Sequence, residues 1–329
     1  MGRIYPQEAV IVGIIAHAPV DLVAEVDESL LDRFAIRKLL CTTMPVERSI
    51  ELGKELADGA IAPRRLPGGC GANMASWLAR LGSDTAVVAP FGNDATAQLA
   101  RGDLEARGVC IVGFDYDGPH SVIYTLITSD RERTFADYCH GVDYDLFDSA
   151  AGLAGEKLVS IDGYLLLRPG AAEGVRAYLE RSRPAEQQIV FCPGDVSVLA
   201  DAAEIAHFIL ERSDHLLINR NEAAALFPGL SDEQVATELR SRGISGAITQ
   251  GEHGAFLFNA DTWLHIPSAS LGRPIANTNG AGDAFASGYV HGIDRGMPLD
   301  AIATLATRCA AEILMTESAR PALPVAATR

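Results

Sequence analysis

The chain has 329 residues and sets 27 Lys and Arg against 43 Asp and Glu, a net charge of −16 without any run of basic residues. That balance excludes nucleic acid and anionic membranes as partners, so an anionic ligand has to be held locally, by backbone and a metal. Six scattered cysteines with no Cys-x-x-Cys pair argue against a zinc site or disulfide scaffold and suit a reducing cytoplasm, and no stretch approaches the ~20 apolar residues of a membrane helix.

Val10 to Ile15 is apolar on both faces and reads as a buried central strand. A signal-peptide core is excluded there, because a single basic residue precedes it and no cleavage-like site follows. Asp21 stands just beyond, where open α/β sheets carry their ligand sites; it is either a hydroxyl-binding carboxylate or a turn residue. A helix is expected from Glu28 to Ile36. In residues 67 to 82, PGGCGANMASWLARLG, Gly68, Gly69 and Gly71 precede a helix with Met74, Trp77, Leu78 and Leu81 on one stripe. No buried strand leads into these glycines and no third glycine has the required spacing, which excludes a dinucleotide fingerprint. Asn73 is either a ligand contact or a polar residue of a first helical turn.

Asp84 to Ala89 is the next strand and Thr96 to Arg107 the next helix. Ser121 to Thr128 and Arg133 to Tyr138 are rich in β-branched and aromatic residues and have no helix between them, which predicts a small antiparallel lid. From Leu158 strands and helices alternate, as in a parallel sheet: LVSIDGYLLL, a helix from Ala172 to Arg181, Ile189 to Cys192, a further helix, and HLLIN ending at Asn219. Glu222 falls in the first turn of the helix that follows. GAITQGEHGAFLF, with Thr249, Gly251 and Gly254, is strand, turn and strand, on its residues alone a glycine-rich hairpin.

In NTNGAGDAFASGYVHGI, residues 277 to 293, Gly280, Ala281 and Gly282 come just before Asp283, and Phe285, Tyr289 and Ile293 mark the buried stripe of a helix. Unpaired N–H groups at a glycine-containing helix opening suit phosphate oxygens. A carboxylate beside a bound anion makes chemical sense as the acceptor of a proton from an attacking hydroxyl; the alternative is a glycine-rich turn with a capping aspartate. A last helix, Ala301 to Met315, carries Ile302, Leu305, Cys309 and Ile313 on one side. No repeat, low-complexity tract or linker interrupts the chain, so residues 1–329 read as one domain, with lid segments inserted at approximately 17–65 and 110–140.

Residues 277–283 resemble the Asp-Thr-x-Gly-Ala-Gly-Asp signature of the ribokinase (PfkB) family of carbohydrate and nucleoside kinases, with Asn277 in place of the first Asp. In the same order as in that family, Gly68 to Asn73 resembles its Gly-Gly-x-Gly-Ala-Asn, SDRERTF its Gly-Glu-Arg-Thr turn, Asn219 to Glu222 its Asn-x-x-Glu, and Thr249 to Gly254 its Thr-x-Gly-x-x-Gly. The resemblance implies a ribokinase-like three-layer αβα fold with a mostly parallel central sheet and a small β lid. It implies an ATP-dependent phosphotransferase with Asp283 as base and the backbone of Gly280, Ala281 and Gly282 as anion hole. Asp21, Gly68, Gly69 and Asn73 would hold the acceptor, and Thr249, Gly251 and Gly254 would approach the nucleotide phosphates. Asn219 and Glu222 would act on Mg²⁺ through water, a sensible arrangement for an ion that keeps much of its hydration shell. The last helix would wall the adenine pocket.

The early segment and LVSIDGYLLL lean toward the adenosine-kinase-like branch. A nucleoside is therefore the expected acceptor, with a sugar (ribose, fructose or a ketodeoxy sugar acid) as the alternative and a non-catalytic sugar or nucleotide sensor as the rival of another class. Asn277 leaves K⁺ dependence open, Cys70 occupies a position that is lysine in ribokinase-like sequences, and either a monomer or a homodimer is compatible with the sequence. The helix opening is expected to depress the pKa of Asp283.

Overall fold

A computed structural model describes residues 11–316 and 318–323, apart from 40, 60–62, 131, 139–152, 154–155, 182–183, 185, 273 and 277. Asn277 and the turn position Arg131 therefore lie outside the described residues. The first half of the chain contributes strands β1 (Ile11–Ile15), β2 (Val20–Glu25), β3 (Cys41–Thr43), β4 (Arg64–Pro67), β5 (Asp84–Val88), β6 (Pro90–Phe91), β7 (Cys110–Ile111), β8 (Phe114–Asp115), β9 (Val122–Ile127) and β10 (Arg133–Tyr138). The second half adds β11 (Leu158–Asp162), β12 (Gln188–Cys192), β13 (His215–Asn219), β14 (Ser245–Thr249), β15 (Ala255–Phe258) and β16 (Trp263–Ile266).

Nine of these strands form one sheet in the order β16-β15-β14-β13-β12-β11-β1-β5-β7. All neighbours are parallel except β14–β15 and β15–β16, which belong to the antiparallel end. Because side chains alternate along a strand, each strand splits its apolar residues between two cores. Val12, Ile14, Leu158, Val190, Leu217 and Ala247 pack on one face. Helices Cys70–Leu81, Ala95–Ala106, Ala281–Asp294 and Leu299–Leu314 cover that face. Ile15, Val159, Ile161, Ile189, Phe191, Ile218 and Ile248 point the other way, beneath helices Ala171–Glu180, Ala203–Leu210 and Asp232–Ser241. The result is the three-layer αβα arrangement. Small residues draw the layers together: a Cβ on Gly288 would stand 2.6 Å from Ala306 Cα, so helices Ala281–Asp294 and Leu299–Leu314 touch at backbone level.

The second sheet, in the order β3-β10-β9-β2-β4, is the lid. Its β9–β10 hairpin is antiparallel as expected, but β2–β9 and β3–β10 pair parallel, so the lid is mixed and the expectation of an antiparallel lid is corrected. The physical reason is chain length: long stretches containing helices separate β2 from β9 and β3 from β10, and a long connection lets strands run in the same direction. Helix Val46–Asp58, which the sequence reading did not resolve, sets Leu52 and Leu56 into the core shared with the lid strands. The helix expected from Glu28 to Ile36 ends at Phe34, because Ala35 turns left-handed at φ 52° and its N–H closes on Asp32 O.

Candidate active site

Strand periodicity builds the site. On the face that meets helix Ala281–Asp294, the last residues of four adjacent parallel strands are Ser160 and Asp162, Cys192, Leu217 and Asn219, and Ala247 and Thr249. They line a solvent-open cleft, closed on the far side by Gly282, Asp283 and Phe285 and flanked by Cys70, Gly71 and Glu222. The cleft lies outside the carboxyl ends of the strands. β1 sits between β11 and β5, so the chain winds outward in both directions from it, and such a switch point is where open α/β sheets bind ligands.

Asp283 is recessed in this cleft with part of its surface open. Asn73 Nδ2, from the first turn of helix Cys70–Leu81, donates to Asp283 Oδ2 at 2.8 Å across 210 residues of sequence. Burial raises the Asp283 pKa above the usual aspartate value, outweighing the opposing influence of Asn73, the Cys70 thiol and Arg320. The expectation that the helix opening would depress it is thus overturned: desolvation wins. The consequence is a stronger base than a surface aspartate. Gly280 caps the helix at φ 79°, and a Cβ there would meet Ala319 O at 2.6 Å. The Ala281 N–H bends back to Thr278 O at 3.3 Å, whereas Gly282 faces empty space. Of the three expected cradle residues, Gly282 is therefore the one that presents its backbone to the cleft.

The expected acceptor residues gather on the lid side. Asp21, on β2, packs against Gly68, where a Cβ would come within 2.6–2.7 Å of its carboxylate, so a side chain there would displace the Asp21 carboxylate. Gly69 takes φ 91° as the cap of helix Cys70–Leu81. Burial pushes the Asp21 carboxyl up to about 7; the Arg320 guanidinium opposes that rise and the Asp283 charge adds to it.

Asn219 and Glu222 form a reciprocal capping box. The Asn219 side chain accepts from the amides of Asn221 and Glu222 at 2.8 and 3.0 Å, and Glu222 Oε2 accepts from Asn219 N at 2.7 Å. Asn219 Oδ1 is thereby committed to the helix start. Glu222 Oε1, by contrast, is buried without a hydrogen-bond partner, and burial lifts the carboxyl to about 7. Thr249 lines the cleft, but Gly251 and Gly254 do not. Gly254, at φ 93°, closes its N–H on Gly251 O at 3.1 Å and would drive a Cβ into the Ile266 carbonyl, so it serves the β14–β15 turn.

Three contributors escaped the sequence reading. Asp162 is buried at the end of β11, accepts from Gly71 N at 3.3 Å and Tyr164 N at 3.1 Å, and is pushed up to about 6, mainly by burial. Cys192 lines the cleft beside it. Arg320 reaches Asn73 from the far end of the chain. For Asp162 a signal existed, its place at the end of an apolar strand; for Arg320 the sequence holds none.

A mostly parallel α/β sheet with a recessed carboxylate beside a glycine-opened helix at its strand ends forms an enzyme-like cleft, and the family match identifies the class as a phosphotransferase with an alcohol acceptor. Residues 43–326 match the pfkB family carbohydrate kinases, and the chain belongs to that family. It is similar to the ribokinase of Bacillus subtilis (strain 168), 25% identical over 263 residues, covering 79% of this chain and 85% of that one. It is also similar to fructokinase-2 of Oryza sativa subsp. japonica, 28% identical over 237 residues, covering 67% and 69%. Among solved structures, adenosine kinase from Sinorhizobium meliloti superposes with a TM-score of 0.77 at 23% identity, covering 94% and 95% of the two chains, which is a likeness of fold.

Proposed function

We propose that the protein transfers the γ-phosphoryl group of ATP to a hydroxymethyl group of a nucleoside, with Asp283 as the base. The observation that carries this reading is the Asn73–Asp283 hydrogen bond, which ties the acceptor loop to the base at the edge of the cleft. An acceptor held by Asp21, Gly68, Gly69 and Asn73 would point its hydroxyl at Asp283, while phosphate oxygens would meet the backbone at Gly282. Asp283 would accept the hydroxyl proton as the new O–P bond forms to the γ-phosphorus and the bond from that phosphorus to the β–γ bridging oxygen breaks, with ADP leaving. In a loose phosphoryl-transfer transition state that proton moves late, so positioning and charge stabilisation contribute most.

The residues present fit a hydrated divalent ion. Glu222 Oε1 is an unpaired buried acceptor on the cleft wall, and among the described residues no three His, Cys, Asp or Glu converge to hold a bare ion. Glu222 would therefore hold Mg²⁺ through water, with phosphates supplying other ligands. Bound there, the ion would offset the negative charge of the triphosphate. Asp21, Asp162 and Asp283 together make the acceptor side acidic, which opposes a carboxylate-bearing sugar acid and favours a neutral polyol. A free sugar is the second reading, favoured by the similarity to a ribokinase and a fructokinase.

The test is ATP consumption with Mg²⁺ across nucleosides, pentoses, hexoses and ketodeoxy sugar acids, with and without K⁺. Turnover with a nucleoside at a kcat/KM at least tenfold above any sugar supports the first reading, and the reverse order supports the second. No turnover with any acceptor, together with tight sugar or nucleotide binding, would establish a sensor.

A further inference from the structure

We propose that Arg320 is a positioning residue for the base, locking the Asn73 amide so that its NH₂ end faces Asp283. The proposal rests on reading Asp283 as the base. An asparagine amide has nearly the same shape with its oxygen and nitrogen exchanged, so packing alone does not decide which end meets the carboxylate. The guanidinium decides it. Arg320 Nε–H donates to Asn73 Oδ1 at 3.0 Å, and a guanidinium carries only donors, so only the amide oxygen can face it. Asn73 Nδ2 is thereby turned to Asp283 Oδ2. Reversing the amide would set N–H against N–H and carbonyl against carboxylate, exchanging two hydrogen bonds for two repulsions.

The rest of the fork fixes the acceptor loop and is itself anchored. Nη2 donates to Gly68 O at 2.6 Å, which holds the glycine turn against Asp21, and Nη1 pairs with the Asp103 carboxylate. Arg107 grips the same carboxylate at 2.9 and 3.0 Å and donates through Nη1 to Pro321 O at 2.7 Å. Helix Ala95–Ala106 and the residue after it thus clamp segment 318–323 by side chain and by backbone. Arg320 is 3% exposed, so it meets no substrate and acts only through Asn73, Gly68 and its charge. That charge is set among Asp21, Asp103 and Asp283. The other groups facing Asp283 are Asn73 and Cys70, with Asp162 and Cys192 further along the cleft and Tyr164 within electrostatic reach.

The experiment uses the full chain and three variants, Arg320→Met, Arg320→Lys and Asn73→Ala, with thermal melting to confirm folding. Arg320→Met is expected to lower kcat about 10²-fold, the scale of a misplaced reacting group, with KM for ATP within threefold. Arg320→Lys keeps charge and stem but loses the Nε donor, so the same loss of kcat is expected. Combining either variant with Asn73→Ala should cost clearly less than the product of the two single losses, because the share of the effect that runs through the amide is already gone and only the hold on Gly68 and the charge remain to be lost. A second readout needs no turnover: carboxyl ¹³C titration of Asp-labelled protein, assigned with Asp21→Asn and Asp283→Asn. Arg320→Met should move the Asp21 titration to higher pH, and Arg320→Lys should leave it near wild type. Folded variants with kcat within threefold of wild type, or full additivity with Asn73→Ala, overturn the proposal. If the wild type phosphorylates no acceptor, the kinase reading fails by itself; the positioning role is then read from the Asn73 side-chain NH₂ resonances, assigned with Asn73→Ala, and resonances unchanged in Arg320→Met refute it.

Discussion

Replacing Asp283 with Asn separates chemistry from stability. The substituted amide keeps an oxygen to accept from Asn73 Nδ2, so the 2.8 Å contact and the helix opening survive. What disappears is the ability to accept a proton. General-base catalysis is worth about 10²- to 10⁴-fold, so kcat is expected to fall by that factor, about 2.7–5.4 kcal/mol of barrier at about 1.36 kcal/mol per decade. KM for ATP should change little, because in the proposed arrangement phosphate oxygens would meet the backbone at Gly282 and not the Asp283 side chain. Stability should move in the opposite direction. Burial raises the Asp283 pKa, so between the ordinary aspartate value and the raised one the folded state binds more protons than the unfolded state. Stability therefore falls as pH rises through that window, and above it the buried charge is a standing cost. Asn carries no such charge. At pH 8 the variant should melt above wild type, and the gap should close as pH falls toward the ordinary aspartate value. Steady-state kinetics and calorimetry at pH 5 and pH 8 decide it. A kcat within threefold of wild type removes Asp283 from the mechanism, and a lower melting temperature at pH 8 refutes the burial argument.

Gly282→Val should fold normally, since its Cβ meets nothing within 4 Å, yet it fills the space offered to phosphate. Overpacking of about 1–3 kcal/mol translates into about 5- to 150-fold in KM for ATP, while an unchanged KM would show that phosphates bind elsewhere. Glu222→Gln preserves the capping geometry but removes the charge at the unpaired Oε1, so half-saturating Mg²⁺ should rise about 10-fold or more. A Mg²⁺ titration at fixed ATP reads this out, and an unshifted curve removes Glu222 from the ion site. Gly254→Ala should cost about 1–3 kcal/mol in urea unfolding, because φ 93° and the Ile266 carbonyl both oppose a side chain. Its kcat per folded molecule should stay at wild type; a selective rise in KM for ATP would give Gly254 a nucleotide contact.

The chain alone, with its family resemblance, made the α/β class legible and named candidate residues that the fold brings to one cleft. Apolar runs alternating with helical stretches marked β1, β11, β13 and β14 as strands of a parallel sheet, the glycines at 68, 69 and 71 marked the lead-in to a helix, and the string before Asp283 located the helix opening. These are local properties, dictated by sterics and spacing over a few residues. Tertiary structure alone decided the rest. That Asp283 is raised in pKa, that Asn73 is its partner 210 residues away, that an arginine near the end of the chain orients that partner, and that β2 runs parallel to β9 all depend on which segments are packed together. Desolvation and long-range hydrogen bonds are set by the surroundings of a group, and those surroundings exist only once the chain has folded.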